Sequence, residues 1–288
     1  MTTPVLDSHV HLLDPGQMSY PWLPVGDALN QTWDAARYAA AAPCLAGVIV
    51  VEAGVCADQA GQEIAFARAQ ADTQPWILGI VAQAPAGDPP ALTNALAEIA
   101  DDDFVAGIRW NLQDMPPGSL RDPGLLAGVR LLAEAGLPFD ACVRSWQLAE
   151  LDKLAAACPG TVIVLDHAGK PRCGGDLTGW QAGIRALAAR PNIRCKLSGL
   201  GTEAAPEAAL DDLLGAVIFA LAEFGADRCL YGSDWPICTL ATSPRSWLEL
   251  VAAGLEAMNA STDEREQVLA GTALATYRVP GGRTHATR

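Results

Sequence analysis

The side chains best suited to chemistry in this 288-residue chain are three of its four histidines and one aspartate. His9 and His11 lie where the first predicted strand ends, and His167 ends a later strand in VIVLDHAG. Asp234 ends the last predicted strand in CLYGSDWP, whereas His285 lies in a polar tail and is expected to have no role. Histidine is the commonest metal ligand and changes charge near neutral pH. Imidazoles beside a carboxylate at strand ends therefore indicate an active site for metal binding or acid–base chemistry.

Short apolar runs that alternate with Ala- and Leu-rich segments of helical period must position these groups. Runs such as GVIVV and VIVLD have no polar alternation, which predicts strands buried on both faces. The predicted strands are Pro4–His9, Leu45–Val51, Trp76–Val81, Val105–Arg109, Pro138–Val143, Val162–Asp166, Ile193–Leu197 and Cys229–Gly232. The predicted helices include Gln59–Ala71, Pro123–Ala135, Trp146–Ala157, Trp180–Ala189 and Pro206–Phe224.

Eight strands alternating with helices predict an α/β fold, either a closed (β/α)8 TIM barrel or a doubly wound sheet. The first strand is followed by DSHVHLLDPG instead of a GxGxxG turn, which favours the barrel. We expect one barrel domain over residues 1–278 and a polar C-terminal tail over residues 279–288. The segment Leu12–Asn30 is predicted to be a long first βα loop.

The active sites of TIM-barrel enzymes lie at the carboxyl ends of the strands, where the predicted groups are found. Residues two apart in a strand point to the same face, roughly 6.6 Å apart along the chain. His9 and His11 are therefore expected to point together into the barrel mouth. Asp166 precedes His167 and is expected to face the other way, as a supporting contact rather than a catalyst.

Composition excludes several classes of function. A net charge of −14 argues against nucleic acid and anionic membrane as partners, because both need basic patches. Half of the residues are hydrophobic and 18% are charged, which excludes a disordered chain. No apolar run approaches a membrane span and MTTPVLDSHV has no secretory pattern, so a cytoplasmic protein is expected. The eight cysteines form no CxxC pair and mostly lie in apolar segments, which indicates reduced, buried thiols.

Several longer motifs are distributed over most of the chain. They are DSHVHLLDP with YPWL, AGIRWNLQD, LPFDACVRSWQL, VLDHAGKP, CKLSGLGTEA and FGADRCLYGSDWPIC. These motifs resemble the amidohydrolase superfamily, specifically amidohydrolase-related family 2. They are similar to the branch of sugar-lactone hydrolases that includes L-fuconolactonase, L-rhamnonolactonase and, more remotely, 2-pyrone-4,6-dicarboxylate lactonase. The resemblance implies the (β/α)8 fold, hydrolysis of the cyclic ester of a small sugar lactone, and a site containing His9, His11, His167 and Asp234.

In this interpretation Asp234 takes a proton from water as the water attacks the lactone carbonyl, and the histidines stabilise the oxyanion. The fourth and fifth strands end in GIRWN and FDACVR, without the bridging Lys or the His of many metal-rich relatives, so two metal ions are not expected. His9, His11 and Asp234 can form a three-ligand site for one Zn²⁺ with an open position for water. The same atoms can equally bind substrate directly without metal.

Other side chains at predicted strand ends are candidates to bind substrate. Arg109, Arg144 and Lys170 offer cations to the lactone oxygens, and Ser198 offers a hydroxyl. Trp22, with Trp110 and Trp235, offers an apolar wall for a sugar-like ring. Glu52 ends the second strand at the same edge. The candidates to bind substrate are thus Arg109, Arg144, Lys170, Trp22, Glu52 and Ser198.

Two other functions remain open. One is a metal-dependent decarboxylase of the same superfamily, for which a further histidine on the fifth strand would be expected. The other is a non-catalytic barrel that only binds a ligand. Either a monomer or a homodimer is compatible with the sequence.

Overall fold

The computed structural model describes residues 4–42 and 45–279, and it contains one sheet of eight parallel strands in chain order. The predicted TIM barrel is confirmed. The strands are β1 (Val5–Val10), β2 (Leu45–Val51), β3 (Ile77–Gln83), β4 (Val105–Asn111), β5 (Phe139–Cys142), β6 (Ile163–Leu165), β7 (Ile193–Leu197) and β8 (Cys229–Tyr231). All eight overlap the predicted strands, and β2 and β7 have the predicted bounds. Strands such as β2, which is apolar throughout, are clear in the sequence because strands covered on both faces need no polar alternation.

The barrel closes where the end of β1 meets the residues that follow β8. Val10 forms a parallel bridge with Trp235. The amide of His11 donates to the carbonyl of Trp235 (2.7 Å), and the amide of Asp234 donates to the carbonyl of His9 (2.9 Å). These closing hydrogen bonds connect the backbone of His9 and His11 to that of Asp234 and Trp235.

Helices surround the barrel, and local sequence sets where several of them begin. The helices are α1 (Ala35–Ala41), α2 (Ala60–Thr73), α3 (Pro89–Glu98), α4 (Pro123–Glu134), α5 (Leu148–Ala157), α6 (Thr178–Ala188), α7 (Leu200–Glu203), α8 (Leu210–Phe224), α9 (Pro244–Ala257), α10 (Thr262–Glu266) and α11 (Thr272–Thr276). Helix α4 begins at a proline directly after Asp122, whose carboxylate accepts from the amides of Gly124 and Leu125. Proline at the first helical position after such a cap is a strong start signal.

The barrel interior is apolar at its amino end and polar at its carboxyl end. Residues from six strands, among them Leu6, Ile49 and Leu230, form a buried cluster with Tyr277 and Val279. The amide of Arg278 donates to the carbonyl of Ala106 near the start of β4, so the end of the described chain covers the amino end of the barrel. Function is therefore expected at the opposite mouth.

The loop between β1 and α1 covers part of that mouth, as predicted for Leu12–Asn30. Leu13 and Trp33 form an antiparallel bridge that pins its two ends together. Leu13, Met18, Tyr20, Leu23 and Leu29 form their own buried cluster with residues that follow β2. This packing fixes the loop backbone and places its side chains over the carboxyl ends of the strands.

None of the helices in the described ranges has the length and apolar character needed to cross a membrane. The predicted tail from residue 280 onward, with His285, lies outside the described residues.

Candidate active site

The structure brings His9, His11, His167 and Asp234 together at the carboxyl end of the barrel. The Nε2 atoms of His9 and His11 are 3.2 Å apart. Oδ1 of Asp234 lies 3.7 Å from the first and 3.4 Å from the second. Oδ2 of the same carboxylate faces His167, whose Nδ1 is 3.9 Å away. The two oxygens of Asp234 therefore meet different imidazoles.

Unusual backbone conformations turn two of these side chains inward. His167 and Asp234 both have left-handed backbones, with φ of 53° and 63°. Such angles are uncommon outside glycine and cluster at functional sites because they cost free energy. A neighbouring glycine is also needed: a Cβ on Gly199 would lie 2.5 Å from Nδ1 of His167 and 2.8 Å from Oδ2 of Asp234. The close approach of these two groups thus depends on Gly199.

The donor set made by His9, His11 and Asp234 fits a single tetrahedral cation. Nδ1 of His11 lies 3.0 Å from the carbonyl oxygen of Val51, which can only accept, so the ring carries its proton there and leaves Nε2 free. A tetrahedral zinc ion with ligands about 2.0–2.1 Å away separates those ligands by about 3.3 Å. The three ligand atoms, 3.2 to 3.7 Å apart, match that spacing. His9, Asp166 and His167 form a second group of potential ligands.

A buried charged layer lies directly beneath the histidines, and sequence reasoning missed most of it. Lys196 on β7 is fully buried, with Nζ 3.1 Å from Nδ1 of His9 and 3.3 Å from Oδ1 of Asp166. Its ammonium also donates to Asp140 on β5, which accepts from the hydroxyl of Tyr277 as well (2.8 Å). The signal was present in IRCKL, where Lys196 lies inside a predicted barrel strand two residues before Ser198.

The expectation that Asp166 faces away from the site is wrong. Its Oδ2 accepts from Nε of Arg109 (2.8 Å), and its Oδ1 lies 3.4 Å from Nδ1 of His9. Alternation along a strand predicted opposite directions for Asp166 and His167. The left-handed turn at His167 and Ala168 breaks the alternation, so both side chains point inward. Asp166 supports His9 from below, as a contact behind the cluster.

The burial of these groups sets their charge states. Burial lowers the pKa of His167 to about 4, and burial with the nearby Lys196 holds the pKa of His9 well below its usual value. Burial alone would raise the pKa of Asp234, but His167, His11 and His9 outweigh it and hold that pKa below its usual range. Asp166 also has a lowered pKa, because Lys196, His9 and Arg109 outweigh its burial. At neutral pH the site therefore holds neutral His9 and His167 beside ionised carboxylates, the forms that bind a metal or accept a proton.

The cluster lies at the base of an open cavity of about 320 Å³. His11, His167 and Asp234 line it together with Arg109, Lys170 and Trp22 from the predicted substrate-binding set. Trp22 is 45% exposed, and its indole nitrogen donates to the carbonyl of Ala53 (2.7 Å), which holds the ring at the rim. Residues that the sequence did not single out complete the wall: Ala53, Gly54, Asn111, Gln113, Asp114, Cys142, Gly199, Thr202, Glu203 and Ile237.

The other predicted substrate-binding residues do not line this cavity. Glu52 forms an ion pair with Arg109 beneath the wall. The hydroxyl of Ser198 lies 2.9 Å from Nδ1 of His167 and orients that ring. Arg144 lies at the rim, paired with Asp114 (3.0 Å).

The two other tryptophans named as apolar walls lie elsewhere. Trp235 is buried against Tyr38 and Trp33. Trp110 lines a larger surface hollow of about 580 Å³ near α4, which contains none of the clustered groups. The larger hollow is therefore not the candidate site.

Comparison with known proteins agrees with this architecture. The family model described as amidohydrolase matches residues 6–279. An L-fucono-1,5-lactonase of Burkholderia multivorans is 32% identical over 96% of this chain and 96% of its own length, and one of Burkholderia ambifaria is 36% identical over 66% and 68%. A crystal structure of a B. multivorans amidohydrolase with bound Zn superposes with a TM-score of 0.82 at 30% identity, covering 96% of this chain and all of that one. The resemblance seen in the sequence is confirmed, and the chain belongs to the amidohydrolase family.

Proposed function

We propose that this protein hydrolyses the ring ester of a neutral, sugar-derived lactone, yielding the open-chain hydroxy acid. The observation that carries the proposal is the meeting of Asp234 with three histidines at the base of a cavity open to solvent. The relatives from Burkholderia multivorans and Burkholderia ambifaria are named L-fucono-1,5-lactonases, which supports a sugar lactone as the substrate. A cavity of about 320 Å³ has the size of a small-molecule site.

In the proposed mechanism Asp234 acts as general base. Its ionised carboxylate takes a proton from a water molecule as the water oxygen attacks the lactone carbonyl carbon. The proton then passes from Asp234 to the ring oxygen as the carbon–oxygen bond of the ring breaks. The product acid ionises and releases one proton to solvent. This sequence needs no serine or cysteine nucleophile.

The oxyanion formed in the first step requires hydrogen-bond donors. If the hydroxyl of Ser198 donates to Nδ1 of His167, the proton of that ring lies on Nε2 and is available to the carbonyl oxygen. Arg109 supplies a permanent charge from the cavity wall, held in place by Glu52 and Asp166. Preorganised donors of this kind each contribute typically about 10²–10³ in rate.

We further propose that His9, His11 and Asp234 hold one Zn²⁺. A bound zinc ion would polarise the lactone carbonyl or acidify the attacking water. Asp234 can be both a zinc ligand and the general base because its two oxygens face different groups. Oδ1 faces His9 and His11, whereas Oδ2 faces His167. Oδ2 thus remains the proton acceptor when Oδ1 is engaged.

A decarboxylase is less well supported by the cavity. Among the described residues, the end of β5 presents the thiol of Cys142 to the cavity, where that reaction was expected to require a histidine.

The proposal is tested by a pH-indicator screen of aldonolactones, starting with L-fucono-1,5-lactone. Each ring opening releases one proton, so turnover appears as acidification above the spontaneous rate. We expect at least one neutral lactone to be hydrolysed. A purified, folded protein that opens none of them would refute the proposed function.

A further inference from the structure

The cations at the cavity mouth are already neutralised by carboxylates of the protein. The ammonium of Lys170 lies 2.7 Å from Oε1 of Glu203. Arg144 pairs with Asp114 and lies 3.6 Å from Oε2 of the same Glu203. Arg109, deeper in the wall, is paired with two carboxylates of its own. Within the described residues, every arginine or lysine that lines the cavity has a carboxylate within 4 Å.

Glu203 occupies a particular position in this arrangement. It ends the short helix α7 that follows β7, and its side chain lines the cavity between Lys170 and Arg144. Each of its two oxygens faces a different cation. The lining contains two cationic side chains, Arg109 and Lys170, and three carboxylates, Asp114, Glu203 and Asp234. Loss of the Glu203 charge would leave two cationic and two anionic side chains in the lining. It would leave Lys170 without its carboxylate partner, whereas Arg144 would keep its pair with Asp114.

A substrate carboxylate at this wall would approach Glu203 before it could pair with Lys170. The Glu203 side chain is 25% exposed and that of Lys170 is 11% exposed, so water screens the repulsion only in part. Rejection by a placed like charge is a common source of specificity. A neutral polyol meets no such penalty, because its hydroxyls can donate to Glu203 and accept from Lys170.

We propose that Glu203 is the specificity-determining residue that makes this site favour neutral lactones over lactones that carry a carboxylate. The inference rests on the proposed lactonase function and adds a residue and a substrate class to it. It predicts a gain of activity: removal of the Glu203 charge should allow the site to bind and hydrolyse lactones that carry a carboxylate.

The test compares kcat/KM for L-fucono-1,5-lactone and for an acidic lactone, D-glucaro-1,4-lactone, in the wild-type protein and in Glu203→Gln. We expect the ratio of acidic to neutral kcat/KM to rise at least about tenfold in Glu203→Gln, since the unfavourable juxtaposition of like charges is lost with the Glu203 charge. Glu203→Asp keeps the charge and should retain the wild-type ratio. Glu223→Gln is the matched control, because it removes the same charge from a surface ion pair with Arg185 (3.1 Å).

A ratio that stays within threefold of wild type in Glu203→Gln, or that rises equally in Glu223→Gln, would overturn the proposal. Calorimetric titration with D-glucarate separates this failure from failure of the proposed function. If the wild-type protein hydrolyses neither lactone, tighter glucarate binding by Glu203→Gln than by wild type still supports the role of Glu203 in disfavouring carboxylates. Equal glucarate affinity in the two proteins rejects it.

Discussion

Replacement of Gly199 by alanine tests whether the contact between His167 and Asp234 controls the chemistry. Gly199 has a φ of 65°, and an added Cβ would lie 2.5 Å from Nδ1 of His167. Ordinary van der Waals contact begins at 3.4 Å, so the imidazole or the backbone must retreat by nearly 1 Å. A misplacement of about 1 Å can cost on the order of 10² in rate. We therefore expect kcat/KM to fall about 100-fold.

The same substitution also strains the backbone, and this effect needs its own control. A left-handed backbone costs an L-residue roughly 1–2 kcal/mol. Gly136 provides the match: its φ is 67°, but a Cβ there meets nothing within 4 Å. Gly136→Ala should incur a similar strain energy and therefore melt a few degrees lower, while it keeps full activity.

Lactone turnover in the indicator assay and thermal unfolding by circular dichroism decide between these effects. Gly199→Ala should lose activity well beyond its loss of stability, whereas Gly136→Ala should lose stability alone. The reasoning is refuted if Gly199→Ala retains more than a third of the wild-type kcat/KM, or if Gly136→Ala loses as much activity.

Three further predictions concern the charges around the site. Lys196→Met should destabilise the fold by roughly 3–5 kcal/mol in urea unfolding, because Asp140 and Asp166 lose their buried counter-charge. Lys153 is exposed, so Lys153→Met should change the free energy of unfolding by less than about 0.5 kcal/mol. Equal losses in the two variants would contradict this account. Burial and the neighbouring Glu52 raise the pKa of Glu63 to about 8, so the folded state binds an extra proton between pH 4.5 and 8. Unfolding free energy should then fall as pH rises through that window, by up to roughly 1.4 kcal/mol per pH unit, and Glu63→Gln should flatten the slope. Metal analysis after equilibration with zinc and dialysis should find one Zn²⁺ per chain, reduced in His11→Gln; two tightly held ions would show that the ligand set is incomplete.

The barrel was predictable because buried parallel strands are continuously apolar. The bounds of β2, whose sequence LAGVIVV is apolar throughout, were predicted correctly. The histidines and Asp234 were found because polar groups at strand ends interrupt such runs. Their convergence followed from the barrel, since closure brings β1, β6 and β8 to one mouth.

The supporting layer was harder to predict, because it depends on tertiary geometry. The predicted orientation of Asp166 was wrong because nothing in LDHAGK indicates the left-handed backbones at His167 and Ala168. Lys196 was overlooked because a lysine inside a strand suggests exposure, and only its carboxylate partners on other strands make burial possible. Tyr277 reaches Asp140 across 137 residues, a separation that no local pattern reports.

The role of Asp234 is tested most directly by Asp234→Asn. Asparagine keeps the shape of the side chain and tolerates the left-handed backbone at this position (φ 63°), so the fold should persist. Loss of a general base typically costs about 10²–10⁴ in rate. We predict at least a 100-fold fall in lactone turnover with an unchanged circular dichroism spectrum. A folded Asp234→Asn protein with turnover within tenfold of wild type would contradict the account.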